Sequence, residues 1–151
     1  MLASLPPGAF LNLELKADTL QQSDCAPIFD ALSRRPFPGP LLVSSFDPRL
    51  LSYFKARGTP VGLLVGNEAA QQGWAWMVRE LLRLRPDYLN LPILMFEILG
   101  SRRAHLLALL FRALGFSLAF WTVNRRDEVD RVRKLTRIII TDEVLTVRRA
   151  L

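Results

Sequence analysis

Short apolar runs alternate with longer amphipathic stretches along the whole chain, joined by connections of only a few residues. That rhythm admits few architectures. A strand, a helix and a second strand in succession build a parallel pair with a crossover, and repeating the unit gives a parallel sheet with helices outside it. Leu11-Asn12-Leu13-Glu14-Leu15 opens the series with the two-residue alternation of a strand. From Gln21 to Arg35 the period becomes helical, with Cys25, Ile28, Phe29 and Leu32 on one side, until Pro36, Pro38, Gly39 and Pro40 end it. Leu41 to Ser45 reads as a second strand. Asp47-Pro48 then offers an N-cap carboxylate and a proline pre-set for the first turn, opening a helix that stops at Gly58.

The remainder continues in the same way. Val61 to Val65 is expected as a third strand. Glu68 to Arg85 reads as a long helix with Trp74, Met77, Val78, Leu81, Leu82 and Leu84 inside and Arg79, Glu80 and Arg83 toward water. Tyr88 to Leu91 is a fourth strand candidate ended by Pro92, and Ile93 to Leu99 shows no clear period. Ser101 to Leu114 reads as a helix closed by Gly115, and Phe116 to Val123 as a strand. Asn124 is placed to cap a short helix burying Val129, Val132 and Leu135, Arg137 to Thr141 is the last strand, and Asp142 is placed to cap a terminal helix. A run such as Ile138-Ile139-Ile140 suits a parallel strand buried on both faces. A chain of 151 residues is one domain of ordinary size. It is too short for eight βα units, which take roughly 250 residues. The expectation is an α/β domain, either an open sheet or part of a barrel.

Composition excludes more than it assigns. Half the chain is apolar and 23% is charged, the mix of a folded protein. The net charge of +6 lies wholly in the second half, yet the arginines are spread over several helices rather than along one face, so no nucleic-acid partner is expected. A basic amphipathic surface for membranes is the other reading of that half. The lone Cys25 cannot form an internal disulfide, and no leader or bilayer-length apolar segment is seen, so a soluble, cytoplasmic protein without a transmembrane segment is expected.

Ligands of parallel α/β folds meet the carboxyl ends of the strands. Those ends carry Glu14 and Lys16, Ser44-Ser45-Phe46, Asn90, Trp121-Thr122-Val123-Asn124 and Thr141-Asp142. Leu11, Leu13 and Leu15 share one side of their strand, which turns Asn12, Glu14 and Lys16 to the other. A carboxylate and an ammonium on one face are costly to bury unless they pair or meet a ligand. Trp121 either fills the core or walls a site. His105, the only histidine, lies inside a helix and reads as a packing residue.

Four of these segments, in order, resemble the glycerophosphodiester phosphodiesterase family. Leu11-Asn12-Leu13-Glu14-Leu15-Lys16 is similar to its n-I-E-I-K strand, Val43 to Pro48 to its S-S-F-d-p segment, Trp121-Thr122-Val123-Asn124 to its W-T-V-N, and Ile139-Ile140-Thr141-Asp142 to its I-I-T-D. The resemblance covers roughly residues 10–145. It implies a TIM barrel and metal-dependent hydrolysis of small-molecule glycerophosphodiesters to glycerol 3-phosphate and an alcohol. It implies Glu14 as a ligand of a divalent cation, Mg²⁺ or Ca²⁺, Lys16 as the catalytic cation facing the phosphate, and Phe46 and Trp121 as apolar walls of the substrate site. The family's His-Arg-Gly, Glu-x-Asp-Val and His-Asp segments, with both general acid–base histidines, precede the Glu-Ile-Lys strand, and here only ten residues do. The expectation is therefore the C-terminal portion of such a barrel, a partial barrel of parallel strands with outer helices that is inactive alone. The alternative is a non-catalytic partial barrel, a binding or scaffold protein that forms a homodimer or docks on a partner such as the missing N-terminal half.

Overall fold

The structure, a computed structural model, describes residues 9–34 and 37–151, and of residues 67–70 the backbone only. Arg35 and Pro36, the expected end of the first helix and its first breaker, lie outside the described residues. The chain forms two compact units, Met1–Asp87 and Tyr88–Leu151.

The first unit runs β1 (Leu11–Leu15), a 3-10 turn (Gln22–Asp24) leading into α1 (Cys25–Arg34), β2 (Leu41–Ser45), α2 (Pro48–Lys55), β3 (Val61–Leu64) and α3 (Asn67–Leu84). The strands are parallel, with Leu11 opposite Leu41, Glu14 opposite Ser44, and Val43 opposite Val61. This register puts Leu15, Val43, Val61 and Leu63 on one side of the sheet. All four are buried, as are Leu50, Leu51 and Phe54 of α2, which packs on β2 and β3. Each such side chain contributes roughly 1.5–3 kcal/mol relative to exposure. The expected opening of α2 is present: the Asp47 side chain accepts the Arg49 backbone N–H at 2.8 Å, with Pro48 in the first turn. Asp87 closes the unit, accepting from the Val61 backbone and from Lys55, each at 2.8 Å.

In α3 the structure departs from the periodicity. Gly73 sits at φ 81° and ψ 170° and interrupts the helix. Met77, Leu81 and Leu84 are buried as expected, but Trp74, Val78 and Leu82 are 58%, 51% and 68% exposed. Glu80, expected in water, is buried with the first set. The apolar residues of this helix cover a wider arc than the side that packs, and Glu80 falls within the packed arc.

The second unit repeats the plan with β4 (Tyr88–Pro92), α4 (Met95–Ile98), α5 (Ser101–Ala113), β5 (Ser117–Trp121), α6 (Arg126–Val132), β6 (Ile138–Ile139) and α7 (Val144–Arg148). Its strands are also parallel, with Asn90 opposite Ala119, Pro92 opposite Trp121 and Phe120 opposite Ile139. Pro92 is the last residue of β4, which ends there as expected. Gly115, at φ 92°, takes the left-handed conformation that ends α5. Two expected caps are replaced. Arg125, not Asn124, is the N-cap of α6, and Glu143, not Asp142, that of α7. β6 is only two residues long and half-buried rather than buried on both faces. Parallel strands with helices between them in both units make this the α/β class expected, a partial (β/α) barrel.

Candidate functional site at the strand ends

At the carboxyl end of β1, Lys16 Nζ donates to Glu14 Oε1 at 2.7 Å, with the two side chains 64% and 33% exposed. The hydrogen bond to Glu14, together with its charge, raises the Lys16 ammonium above its ordinary pKa, so it stays protonated. Of the two ways their shared face could be satisfied, by pairing or by a ligand, the structure shows the pair. Ser44 lies opposite Glu14 on the same face, and its buried Oγ, like Asn12 Oδ1, has no hydrogen-bond partner among the described residues. Buried polar atoms are seldom left unmatched. Here two of them stand on the same face of the sheet as the Glu14 carboxylate. Ser45, on the opposite face, is structural: its hydroxyl donates to the Leu15 carbonyl at 2.8 Å and accepts the Asp47 N–H at 3.1 Å.

Phe46, half-buried, lines a cleft of about 540 Å³ with Ala17, Gln72, Trp76 and two ion-paired clusters. In the first, the Arg49 guanidinium donates to both Asp47 oxygens at 2.8–3.1 Å. Burial pushes the Asp47 carboxyl up, but the side-chain and backbone hydrogen bonds from Arg49 and its charge outweigh this and hold it below the usual range. In the second, Glu80, 8% exposed, accepts from Arg83 Nη2 at 2.6 Å and Nε at 2.8 Å, and from Arg79 Nε at 3.3 Å. Arg83 also donates to Ser52 Oγ at 3.1 Å. Sequence reasoning missed this cluster, although Glu80 and Arg83 stand at the three-residue spacing that pairs a carboxylate with a cation on a helix.

In the second unit Trp121 is half-buried, its indole N–H donating to the Asn90 carbonyl at 2.9 Å. The Asn90 side chain is fully buried and neither of its amide atoms has a partner among the described residues. Asn124 accepts at its Oδ1 from Thr141 Oγ1 and from the Asp142 N–H, each at 3.0 Å, tying together the two motif segments that end β5 and follow β6. His105 is a packing residue, as expected. Its ring nitrogens face the Ser101 and Arg131 carbonyl oxygens at 2.8 and 3.1 Å, and its edge meets Phe96.

A hard divalent cation takes six or more oxygen ligands. Among the described residues no three His, Cys, Asp or Glu side chains converge, and Glu14 is already paired with Lys16. The residues present do not fit the cation that the resemblance implies. What β1 offers instead is one exposed ammonium beside one carboxylate, next to unmatched hydroxyl and amide groups.

Fold and strand-end chemistry thus define a parallel α/β partial barrel with its polar residues at the carboxyl ends of the strands. Comparison with solved structures takes this further. The chain is similar to a glycerophosphodiester phosphodiesterase from Thermotoga maritima at 27% identity and a TM-score of 0.71, over 93% of this chain and 57% of that one. It is similar in fold to an Oleispira antarctica phosphodiesterase solved with the product sn-glycerol-3-phosphate, at 24% identity and a TM-score of 0.74, over 95% and 55% of the two chains. A glycerophosphodiester phosphodiesterase from Parabacteroides distasonis shares the fold at 17% identity and a TM-score of 0.63, over 93% and 56%. The chain is glycerophosphodiester phosphodiesterase-like over most of its length, and it spans little more than half the length of these structures. No family profile and no curated protein matches the sequence.

Proposed function

We propose that this chain carries part of a glycerophosphodiester phosphodiesterase-type site, in which Lys16 meets the phosphate of a small glycerophosphodiester and Phe46 lies against its glycerol end. The observation that carries this reading is the Glu14–Lys16 pair at the end of β1, in a strand that resembles the family's and on a chain 27% identical to one such enzyme. An ion pair as exposed as this one is weak, so the phosphate group of a ligand competes for the ammonium at little cost. Trp121, held at its polar edge by Asn90, carries over by the same resemblance as an apolar wall for substrate. Glu14 supplies a single carboxylate of the cation site, and the cation is not proposed to bind this chain alone.

Hydrolysis of the phosphodiester to glycerol 3-phosphate and an alcohol needs a general acid for the leaving oxygen, worth about 10²–10⁴-fold. His105, the sole histidine, is engaged with two backbone carbonyls. The chain alone is therefore expected to bind and not to turn over. The test is calorimetric titration with sn-glycerol 3-phosphate, beside an assay for its release from glycerophosphocholine with Mg²⁺ or Ca²⁺. Weak binding that Lys16→Met reduces about tenfold, the worth of one charged hydrogen bond, supports the reading. Binding untouched by that change removes Lys16 from the site, and sustained release by this chain overturns the expectation of inactivity. Binding with no release also matches the alternative of a non-catalytic partial barrel, which the lack of a carboxylate cluster among the described residues favours.

A further inference from the structure

Helix α5 is built inside out. Its buried side chains are Ala104, Ala108 and Phe111, whereas Leu106, Leu109, Leu110 and the capping Leu114 are 67%, 49%, 53% and 64% exposed. An ordinary surface helix turns its large apolar residues to the core and its small or polar ones outward. At 100° per residue, Leu106, Leu109 and Leu110 lie on one outward stripe with Arg102, flanked by Arg103 and Arg112. All three arginines are exposed, and the helix sequence SRRAHLLALLFRA holds no acidic residue. Neither Arg102 nor Arg103 forms an ion pair among the described residues, and Arg112 donates only to the Lys134 carbonyl. Contiguous leucines left in water on a monomer mark a contact surface.

We propose that this face of α5 docks the protein on an anionic lipid surface, with the leucines entering the interface and the arginines meeting the headgroups. Charge decides the occupant. A second copy seated symmetrically on this face would bring arginine against arginine, with no carboxylate of the helix to separate them. The carboxylates of α6, whose end α5 touches through His105 and Arg131, are already taken: Asp127 by Arg125 and Arg131, and Asp130 by Arg133. An anionic bilayer supplies both the negative charge and the apolar depth that such a helix fits, lying in the interface plane. Each arginine near a negatively charged leaflet strengthens binding about fivefold, and the effect falls off within a Debye length. No helix of the described residues is long and apolar enough to cross a membrane. The docking is independent of the reading of the β1 end.

The experiment is flotation of the full chain with vesicles of phosphatidylglycerol and phosphatidylcholine, against phosphatidylcholine alone, at ~50 and ~500 mM salt. The expected result is binding to the anionic vesicles, weakened about tenfold or more by the high salt and by phosphatidylcholine alone. Leu106→Gln with Leu110→Gln, both exposed and checked by circular dichroism, is expected to lower binding about tenfold or more. Arg102→Gln with Arg103→Gln is expected to lower it by a similar factor while leaving the leucines in place. No binding at ~50 mM salt overturns the proposal, and so does binding that the leucine changes leave untouched. A dimer in sedimentation equilibrium that the leucine changes dissolve overturns it as well, since a second copy would then occupy the face.

Discussion

The Asp47 carboxylate receives the Arg49 backbone N–H at 2.8 Å and the Arg49 guanidinium at 2.8–3.1 Å, so one side chain both starts α2 and orients a cation in the cleft beside Phe46. Asp47→Ala is expected to cost about 1 kcal/mol in urea unfolding, the worth of a cap. Because the folded pKa of Asp47 lies below its ordinary value, its charge contributes stability that is present above the unfolded pKa and lost as pH falls through the folded one. Asp47→Asn keeps a capping oxygen, so its deficit against the parent is expected in full near neutral pH and should shrink as pH falls from the unfolded through the lowered folded pKa. Glu14 gives a prediction of opposite sense to loss. With no divalent cation present its charge repels a phosphate and occupies Lys16, so Glu14→Gln is expected to tighten sn-glycerol 3-phosphate binding about two- to fivefold. Weaker binding by that variant in metal-free buffer would mean that Glu14 orients Lys16 rather than competing for it. Asp47 was legible in the sequence because its partner is two residues away. Asn124 was not, since the groups that claim it, Thr141 and Asp142, lie seventeen and eighteen residues on and arrive only when β6 pairs with β5. A hydrogen bond made through tertiary pairing outranked the local cap.

Helical periodicity located α1, α2, α3 and α5 to within a few residues, because it reports which residues share a face. It does not report which part of a broad apolar arc is covered. In α3 the covered part is Met77, Leu81 and Leu84 with Glu80 among them, leaving Trp74, Val78 and Leu82 outside. In α5 it is Ala104, Ala108 and Phe111, while Leu106, Leu109 and Leu110 stay in water. The break in α3 was present in the sequence as Gly73 and was overridden by the regular pattern around it. At φ 81° and ψ 170° that residue occupies a region open essentially to glycine alone. A Cβ there would meet nothing within 4 Å, so the penalty is purely one of backbone conformation. Gly73→Ala is expected to cost about 1–3 kcal/mol by urea unfolding, despite alanine's superior helix propensity. A neutral or stabilising result would mean that the two halves of α3 run on as one helix in solution.

At the scale of the whole chain, the βα rhythm foretold parallel strands and the four motif segments foretold the kind of barrel. Neither predicts how the first and last strands are closed. β1 pairs with β2 and β6 with β5, and among the described strands neither has a second neighbour. Such an edge presents unpaired backbone N–H and carbonyl groups and invites another strand. The net charge of +6 works against it, since two copies repel before their edges meet. Self-association through the edge is therefore expected to rise with both protein concentration and salt, the reverse of the salt dependence of vesicle binding through α5. The β1 edge can be tested alone. Leu11 donates its N–H to the Pro40 carbonyl at 2.9 Å, on the β2 side, and by alternation Asn12 turns its N–H to the open edge. Asn12→Pro thus removes an edge donor without removing a ladder bond, and Leu11, already extended, tolerates a following proline. Sedimentation velocity at ~10 to ~200 μM should show association in the parent that strengthens in ~500 mM salt and is reduced by Asn12→Pro. A parent that stays monomeric throughout would show that the edge is shielded from other strands. Association unchanged by the proline would move the contact from β1 to the β6 edge, where only two residues are available to pair.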